Sequence, residues 1–167
     1  MNKIDELKAK VLEAQKNSDI ASLYMLENEA QEILDEDTLG AFYANILDMA
    51  LEKLTDTLES HRKIDMNEVQ DFATTRALYE YAMEHYSAGK TEDASALFEV
   101  LSGMTNDDKF SWSLKLHWSA ASENLSLDDF LNKMADLEVT QANGTFYISG
   151  FTKAAQKLLD NAQNRGE

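Results

Sequence analysis

The chain of 167 residues contains no proline, and its apolar residues recur at the spacing of α-helices. Proline interrupts a helix because it lacks an amide hydrogen and its ring clashes with the preceding turn. Its absence therefore permits long helices, and the widest apolar stripe follows residues 39–58. The pattern predicts a mainly α fold, a compact multi-helix bundle. No linker-like stretch interrupts it, so we predict a single domain over residues 1–167.

Short polar side chains stand where the apolar stripes begin. Such a side chain can accept a hydrogen bond from a free amide in the first helical turn, so it marks a helix start. The helix starts that we assign are Ser18 or Asp19, Asp65 in a capping box with Glu68, Thr91, residues 106–108 and Ser126. The acidic cluster 35–37 marks a further start, because negative charge suits the helix dipole there. The helix that starts at Ser18 or Asp19 is predicted to run as far as residue 34.

Residues 137–149 depart from the helical pattern. Here β-branched and aromatic residues flank Asn143-Gly144, and Asn-Gly favours the two-residue turn of a β-hairpin. This segment predicts a small β-hairpin, with an ordered loop as the alternative. A last helix over residues 151–164 closes the chain.

The tripeptide Gly89-Lys90-Thr91 could be read as the end of a phosphate-binding P-loop. A P-loop needs a second glycine five positions earlier, where this chain has Glu84, and a preceding strand, where the pattern predicts a helix. Gly89 is better explained as a helix terminator, since glycine enters the left-handed conformation without steric cost. Residues 77–101 are therefore predicted to form a helix hairpin.

The spacing of small and aromatic residues in this hairpin resembles a tetratricopeptide repeat, with one unit over about Thr75 to Asp108. The matching positions are Ala82, Gly89, Ala94 and Phe98. The chain departs from the repeat at His85, where an aromatic residue is usual, and at Asn106, where a proline is usual.

The same stretch resembles the repeat region of small acidic chaperones of bacterial type III secretion and flagellar export. The resemblance implies a cytoplasmic protein-binding adaptor, chaperone or co-chaperone whose partner is an export substrate or another chaperone. In a tetratricopeptide repeat, one face of the first helix lines a concave groove. Aromatic and methionine side chains suit such a groove, although the alternative is that this helix is central in the core. The residues on this face are Arg76, Tyr79, Met83 and Tyr86.

Trp112 and Trp118 are further candidates for partner binding. They lie six residues apart, which separates them by about 600° around a helix, so at most one faces the core squarely. The other is predicted to be an exposed anchor or to pack at the rim of the core.

The net charge of −16 argues against nucleic acid and anionic lipid as partners, because contact with phosphate begins by Coulomb attraction. Residues 17–52 contain nine acidic and no basic residues. This segment is either a solvated surface that keeps the chain soluble or a face that attracts a basic partner. No run of about 18 apolar residues exists, so membrane insertion is not expected.

Motifs of catalytic and metal sites are not recognisable. The three histidines lack the Glu-x-x-His spacing of bundle di-iron sites, and the segment that begins at Asp35 lacks the glutamate that closes a calcium loop. We therefore predict no enzyme activity, no metal and no cofactor. The alternatives are a structural subunit that buries its apolar faces in a homodimer and, more distantly, a helical enzyme with a carboxylate site.

Overall fold

The computed structural model describes residues 2–165, with side chains as far as residue 161. Within that range the chain is helical and contains no strand, so the prediction of a mainly α, multi-helix fold is confirmed. No helix in this part of the chain combines the length and the apolarity that crossing a membrane requires. The helices are α1 (Lys3–Lys16), α2 (Ile20–Met25), α3 (Glu27–Ile33), α4 (Glu36–Glu59), α5 (Val69–Ser87), α6 (Thr91–Met104), α7 (Asp108–Ser122), α8 (Leu127–Asp129), α9 (Leu137–Asn143) and α10 (Lys153–Arg165).

The chain divides into two compact units, Met1–Leu78 and Tyr79–Glu167, and the boundary lies within α5. Each unit has buried apolar side chains of its own. The assignment of residues 1–167 to a single domain stays a prediction.

The helices of unit 1 begin largely where the polar residues predict. The Asp19 side chain accepts from the amide of Ser22 at 3.0 Å, and that of Asp35 accepts from the amide of Thr38 at 2.8 Å. Two details differ from the prediction. The helix expected to run to residue 34 is divided at Leu26 into α2 and α3. The side chain that caps α5 is that of Glu68, which accepts from the amide of Asp71, and not that of Asp65.

In unit 2, the second half of α5 packs with α6 and α7. The rings of Tyr79 and Tyr86 lie 6.3 and 6.1 Å from the ring of Phe98, and α6 contacts α7 along its length. Phe110 and Phe130 complete a buried aromatic centre. After α8 the backbone widens into a short π-helical turn, Phe130–Met134, and Ala135 and Asp136 connect this turn to α9.

The predicted β-hairpin at residues 137–149 is wrong. Residues Leu137–Asn143 form helix α9, whose first turn is capped by the Asp136 side chain at 3.1 Å from the amide of Val139. Gly144 has φ +68° and ends this helix. An Asn-Gly pair serves a helix C-terminus as well as a hairpin turn, because both require a left-handed residue.

Candidate functional site

The hairpin predicted around Gly89 is present. Helix α5 ends at Ser87, Gly89 has φ +81°, and α6 begins at Thr91. The amide of Lys90 donates to the carbonyl of His85 at 2.9 Å, which satisfies one of the carbonyl groups left free at the end of α5. This turn brings the tyrosines of α5 back against Phe98 of α6 within unit 2.

Tyr79 lies in the centre of unit 2 and belongs to a hydrogen-bonded chain with His117. The Nδ1 atom of His117 lies 2.6 Å from the carbonyl oxygen of Ser113, which can only accept, so Nδ1 carries the hydrogen. The Nε2 atom is then free to accept the hydroxyl hydrogen of Tyr79, whose oxygen is 2.7 Å away. The same oxygen accepts from the amide of Ile148 at 3.1 Å.

Burial holds His117 in its neutral form, and the hydrogen bonds determine which of its nitrogen atoms carries the hydrogen. The residue is completely buried, and burial lowers its pKa to about 4, while the hydrogen bond to Ser113 acts in the opposite direction. Burial likewise raises the pKa of Tyr79 well above its ordinary value. Both nitrogen atoms of His117 are occupied, so neither is available as an acid or base toward a substrate.

Tyr86 is also a core residue. Its hydroxyl group donates to the carbonyl oxygen of Leu125 at 2.7 Å, and its ring lies 5.9 Å from that of Phe130. Burial raises its pKa, as it does for Tyr79. The assignment of Tyr79 and Tyr86 to a partner-binding surface is therefore wrong, and for these two residues the alternative of a core helix holds. Their hydroxyl groups are satisfied internally, which lets two large polar aromatics fill an apolar centre.

The other two residues of the predicted stripe remain partly accessible. Met83, in unit 2, is half-buried. Arg76, in unit 1, is half-buried and lies 3.1 Å from the carboxylate of Glu27, with its guanidinium group 4.0 Å above the ring of Tyr24. Arg76 therefore ties α5 to the α2–α3 region, a structural role that limits what it can offer a partner.

Trp112 is the predicted binding residue that stays most accessible, with 39% of its surface exposed. Its ring stands edge-on to Phe151 with the ring centres 5.4 Å apart. Trp118 is half-buried, so neither tryptophan is fully enclosed. Phe151 packs in turn on a small core cluster that includes Leu116 and Leu159.

Helix α9 lies beside the Trp112–Phe151 pair. Ala135 and Phe151 form an isolated antiparallel bridge, and Gly150 packs so closely on α9 that an added Cβ would lie 2.6 Å from the Cβ of Val139. Val139 is itself exposed, as is Leu137. We call these four exposed or half-exposed apolar residues the Trp112 patch: Trp112, Leu137, Val139 and Phe151.

Sequence patterns missed the last three members of this patch. The sequence pattern assigns Leu137 and Val139 to a strand, and Phe151 to the first turn of the last helix. A short helix between two loops has too few turns for its apolar period to be recognised, so the only available signal was Asp136 as a cap.

Groups of acidic or histidine side chains do not converge into a metal-binding cluster anywhere in residues 2–165. No family model, no curated protein and no solved structure matches this chain.

Proposed function

We propose that the chain is a helical adaptor or chaperone that binds another protein through the Trp112 patch of unit 2. The observation that supports this proposal is the exposed indole of Trp112, held edge-on by Phe151, which is itself bridged to Ala135 just before α9. Tryptophan is frequent at the energetic centres of protein interfaces because its large, rigid ring buries much area at little entropic cost. Isolated apolar residues are common on surfaces, but an exposed tryptophan that packs on a second aromatic ring is typical of a binding surface.

The proposal favours binding over catalysis. His117, the histidine enclosed in the centre of unit 2, has both nitrogen atoms engaged by Tyr79 and Ser113. The resemblance of residues 75–108 to export chaperones supports an export substrate or another chaperone as the partner. It also supports a cytoplasmic location, with which a chain that lacks cysteine is compatible.

The experiment compares partner capture by the native chain with capture by Trp112→Ser. Each affinity-tagged chain is expressed in the source cell, and the proteins that co-purify are quantified by mass spectrometry. We expect the amount of a specific partner to fall by at least about tenfold with Trp112→Ser, since the variant removes a central interface residue. Circular dichroism should show unchanged helical content, because the side chain is partly exposed.

Val100→Ser is the matched control, since Val100 is exposed to 38% and also belongs to unit 2. Equal capture by the native chain and Trp112→Ser would refute the proposal. Light scattering of the purified chain tests the alternative of a structural homodimer. A stable dimer that Trp112→Ser dissociates would replace the adaptor proposal.

A further inference from the structure

Unit 1 contains a groove between α1 and α4, whereas the Trp112 patch of unit 2 is a set of exposed and half-exposed side chains. The groove has a volume of about 480 Å³ and is lined mainly by apolar side chains. Leu12 of α1 lines this groove, yet 65% of its surface is exposed to solvent. We call it the α1–α4 groove and define it by Val11, Leu12, Leu34, Ala41, Phe42 and Asn45.

Asn45 gives this groove an unmet hydrogen bond. Its Oδ1 atom is buried, and no atom of the described residues donates a hydrogen bond to it. Such an atom destabilises the folded chain, because it has lost its bonds to water and gained none in return. The residue as a whole is half-buried and lines the groove, so an occupant of the groove would lie beside its amide group. A side-chain donor on that occupant would satisfy it.

Exposed acids continue the line of Asn45 along α4. At 100° per residue, positions 48, 52, 56 and 59 lie within about 60° of Asn45 around the helix axis. None of these four carboxylates forms an ion pair within residues 2–165. We call these residues the α4 ridge: Asp48, Glu52, Asp56 and Glu59. Lys8 lines the α1 side of the groove, and Lys53 lies beside Glu52 and Asp56 on α4, so the four carboxylates of the ridge outnumber these two cations.

We propose that the α1–α4 groove binds a basic amphipathic helix of another protein. Its apolar face fills the groove, a polar side chain on that face donates to Asn45, and its Lys or Arg residues pair with the α4 ridge. A helix of about 20 residues is about 30 Å long, enough to follow α4 from the groove to the end of the ridge. The proposal rests on the proposed function, in that the chain binds other polypeptides, but it uses a surface of unit 1.

The probes are synthetic amphipathic helices of about 20 residues that carry leucine on one face. One has lysine on its polar face and a glutamine among the leucines, and a second has glutamate in place of every lysine. A third keeps lysine but has leucine in place of the glutamine. Affinities are measured by fluorescence anisotropy with the full chain. We expect the lysine peptide with glutamine to bind at least about tenfold more tightly than the glutamate peptide.

Leu12→Ser locates the binding. We expect it to weaken the lysine peptide by about tenfold, because it removes an exposed apolar contact at the groove. Leu58→Ser is its matched control, since Leu58 is exposed to 48% and lies on the opposite face of α4 from Asn45. Trp112→Ser should leave the peptide affinity unchanged. Equal affinities for Leu12→Ser and Leu58→Ser would overturn the proposal.

Asn45→Leu tests the unpaired oxygen through two opposite effects. The variant should raise the melting temperature by about 3 °C, since it removes a buried group without a partner. It should also reverse the peptide preference, so that the third peptide binds better than the peptide with glutamine. A lower melting temperature, or an unchanged preference, would show that Asn45 serves the fold and not a ligand.

The outcomes separate this proposal from the proposed function. Loss of partner capture with Trp112→Ser, together with no groove-dependent peptide binding, would refute the groove and leave the adaptor proposal intact. If Leu12→Ser abolishes peptide binding while Trp112→Ser leaves partner capture unchanged, the adaptor proposal is refuted and the groove proposal stands. Self-association that Leu12→Ser abolishes, without peptide binding, would assign the groove to a second copy of the chain and overturn the proposal.

Discussion

His117 shows how a single buried residue can couple the fold to pH. The tautomer of its neutral form is set by a donor bond to Ser113 and an acceptor bond from Tyr79, and the rings of Phe98 and Phe130 lie 5.0 and 4.9 Å away. Protonation would place a charge in this aromatic centre and convert the acceptor of the Tyr79 hydroxyl into a donor. The folded chain therefore resists protonation at a residue that the unfolded chain protonates readily.

We predict that the free energy of unfolding falls as the pH decreases from about 6.5 to about 4. His117 has its ordinary pKa of 6.5 in the unfolded chain and a pKa of about 4 in the folded chain, so the unfolded state binds the extra proton in this window. The stability that His117 contributes is complete above pH 6.5 and is lost as the pH falls. The difference corresponds to about 3 kcal/mol. Urea unfolding measured across this pH range checks the prediction.

His117→Gln is the control for this prediction. Glutamine can accept the Tyr79 hydroxyl hydrogen but does not titrate, so its stability should depend less on pH between 6.5 and 4.5. If the free energy of unfolding changes equally with pH for the native chain and for His117→Gln, the pH dependence arises from other residues.

At the scale of the elements, several helices end in the same way. A left-handed residue follows the helix, and the next residue donates its amide to a carbonyl five positions earlier. This arrangement occurs at Ser18, His61, Gly89 and Asn124. Gly89 can be recognised from its residue type, and Asn124 is the other type common at this position, whereas the left-handed conformation costs most other residues about 1–2 kcal/mol.

Helix α9 depends on Gly150 for its position in unit 2. The amide of Asp136 donates to the carbonyl oxygen of Gly150 at 2.7 Å, and the space where a Cβ would lie is already filled by Asp136 and Val139. We predict that Gly150→Ala destabilises the chain by about 1–3 kcal/mol, because either α9 or the loop must move. Thermal and urea unfolding followed by circular dichroism measure the effect.

Gly103→Ala is the control for Gly150→Ala, because we expect it not to destabilise the chain. Apart from its chain neighbours and the backbone of its own helix, no described atom lies within 4 Å of an added Cβ at Gly103, which is in the last turn of α6. Alanine there should be neutral or should stabilise the chain by up to about 1 kcal/mol, through its higher helix propensity. Similar losses for both variants would indicate a general intolerance to added side chains and would contradict the specific role of Gly150.

At the scale of the whole molecule, the net charge of −16 sets which partners approach. We predict that the association rate with a basic partner, such as the lysine peptide, falls by about tenfold between low salt and about 0.5 M salt. The physical reason is that mobile ions screen the attraction between separated charges before contact. Stopped-flow fluorescence at several salt concentrations measures the rate.

The dissociation rate should change much less, since it depends mainly on contacts already formed. An association rate that does not respond to salt would mean that the acidic segment 17–52 and the α4 ridge only keep the chain soluble.

Local features of the sequence determined the helices of this protein. A chain without proline, with apolar residues at helical spacing and with caps at Asp19, Asp35 and Ser126, forms helices close to where those signals stand. The hairpin at Gly89 could be predicted because the turn requires a left-handed residue, and glycine adopts that conformation most easily. These inferences succeed because helix starts, helix ends and periodicity depend on neighbours within a few residues.

The tertiary structure alone decided which apolar side chains are surface and which are core. Tyr79 and Tyr86 lie on a face that could have been a groove, yet His117 and Leu125, distant in sequence, supply their hydrogen-bond partners. Asn143-Gly144 is compatible with a hairpin and with a helix end, and packing against Gly150 selects the helix. Sequence periodicity specifies that a face is apolar, but only the elements packed against that face determine whether water or a partner can reach it.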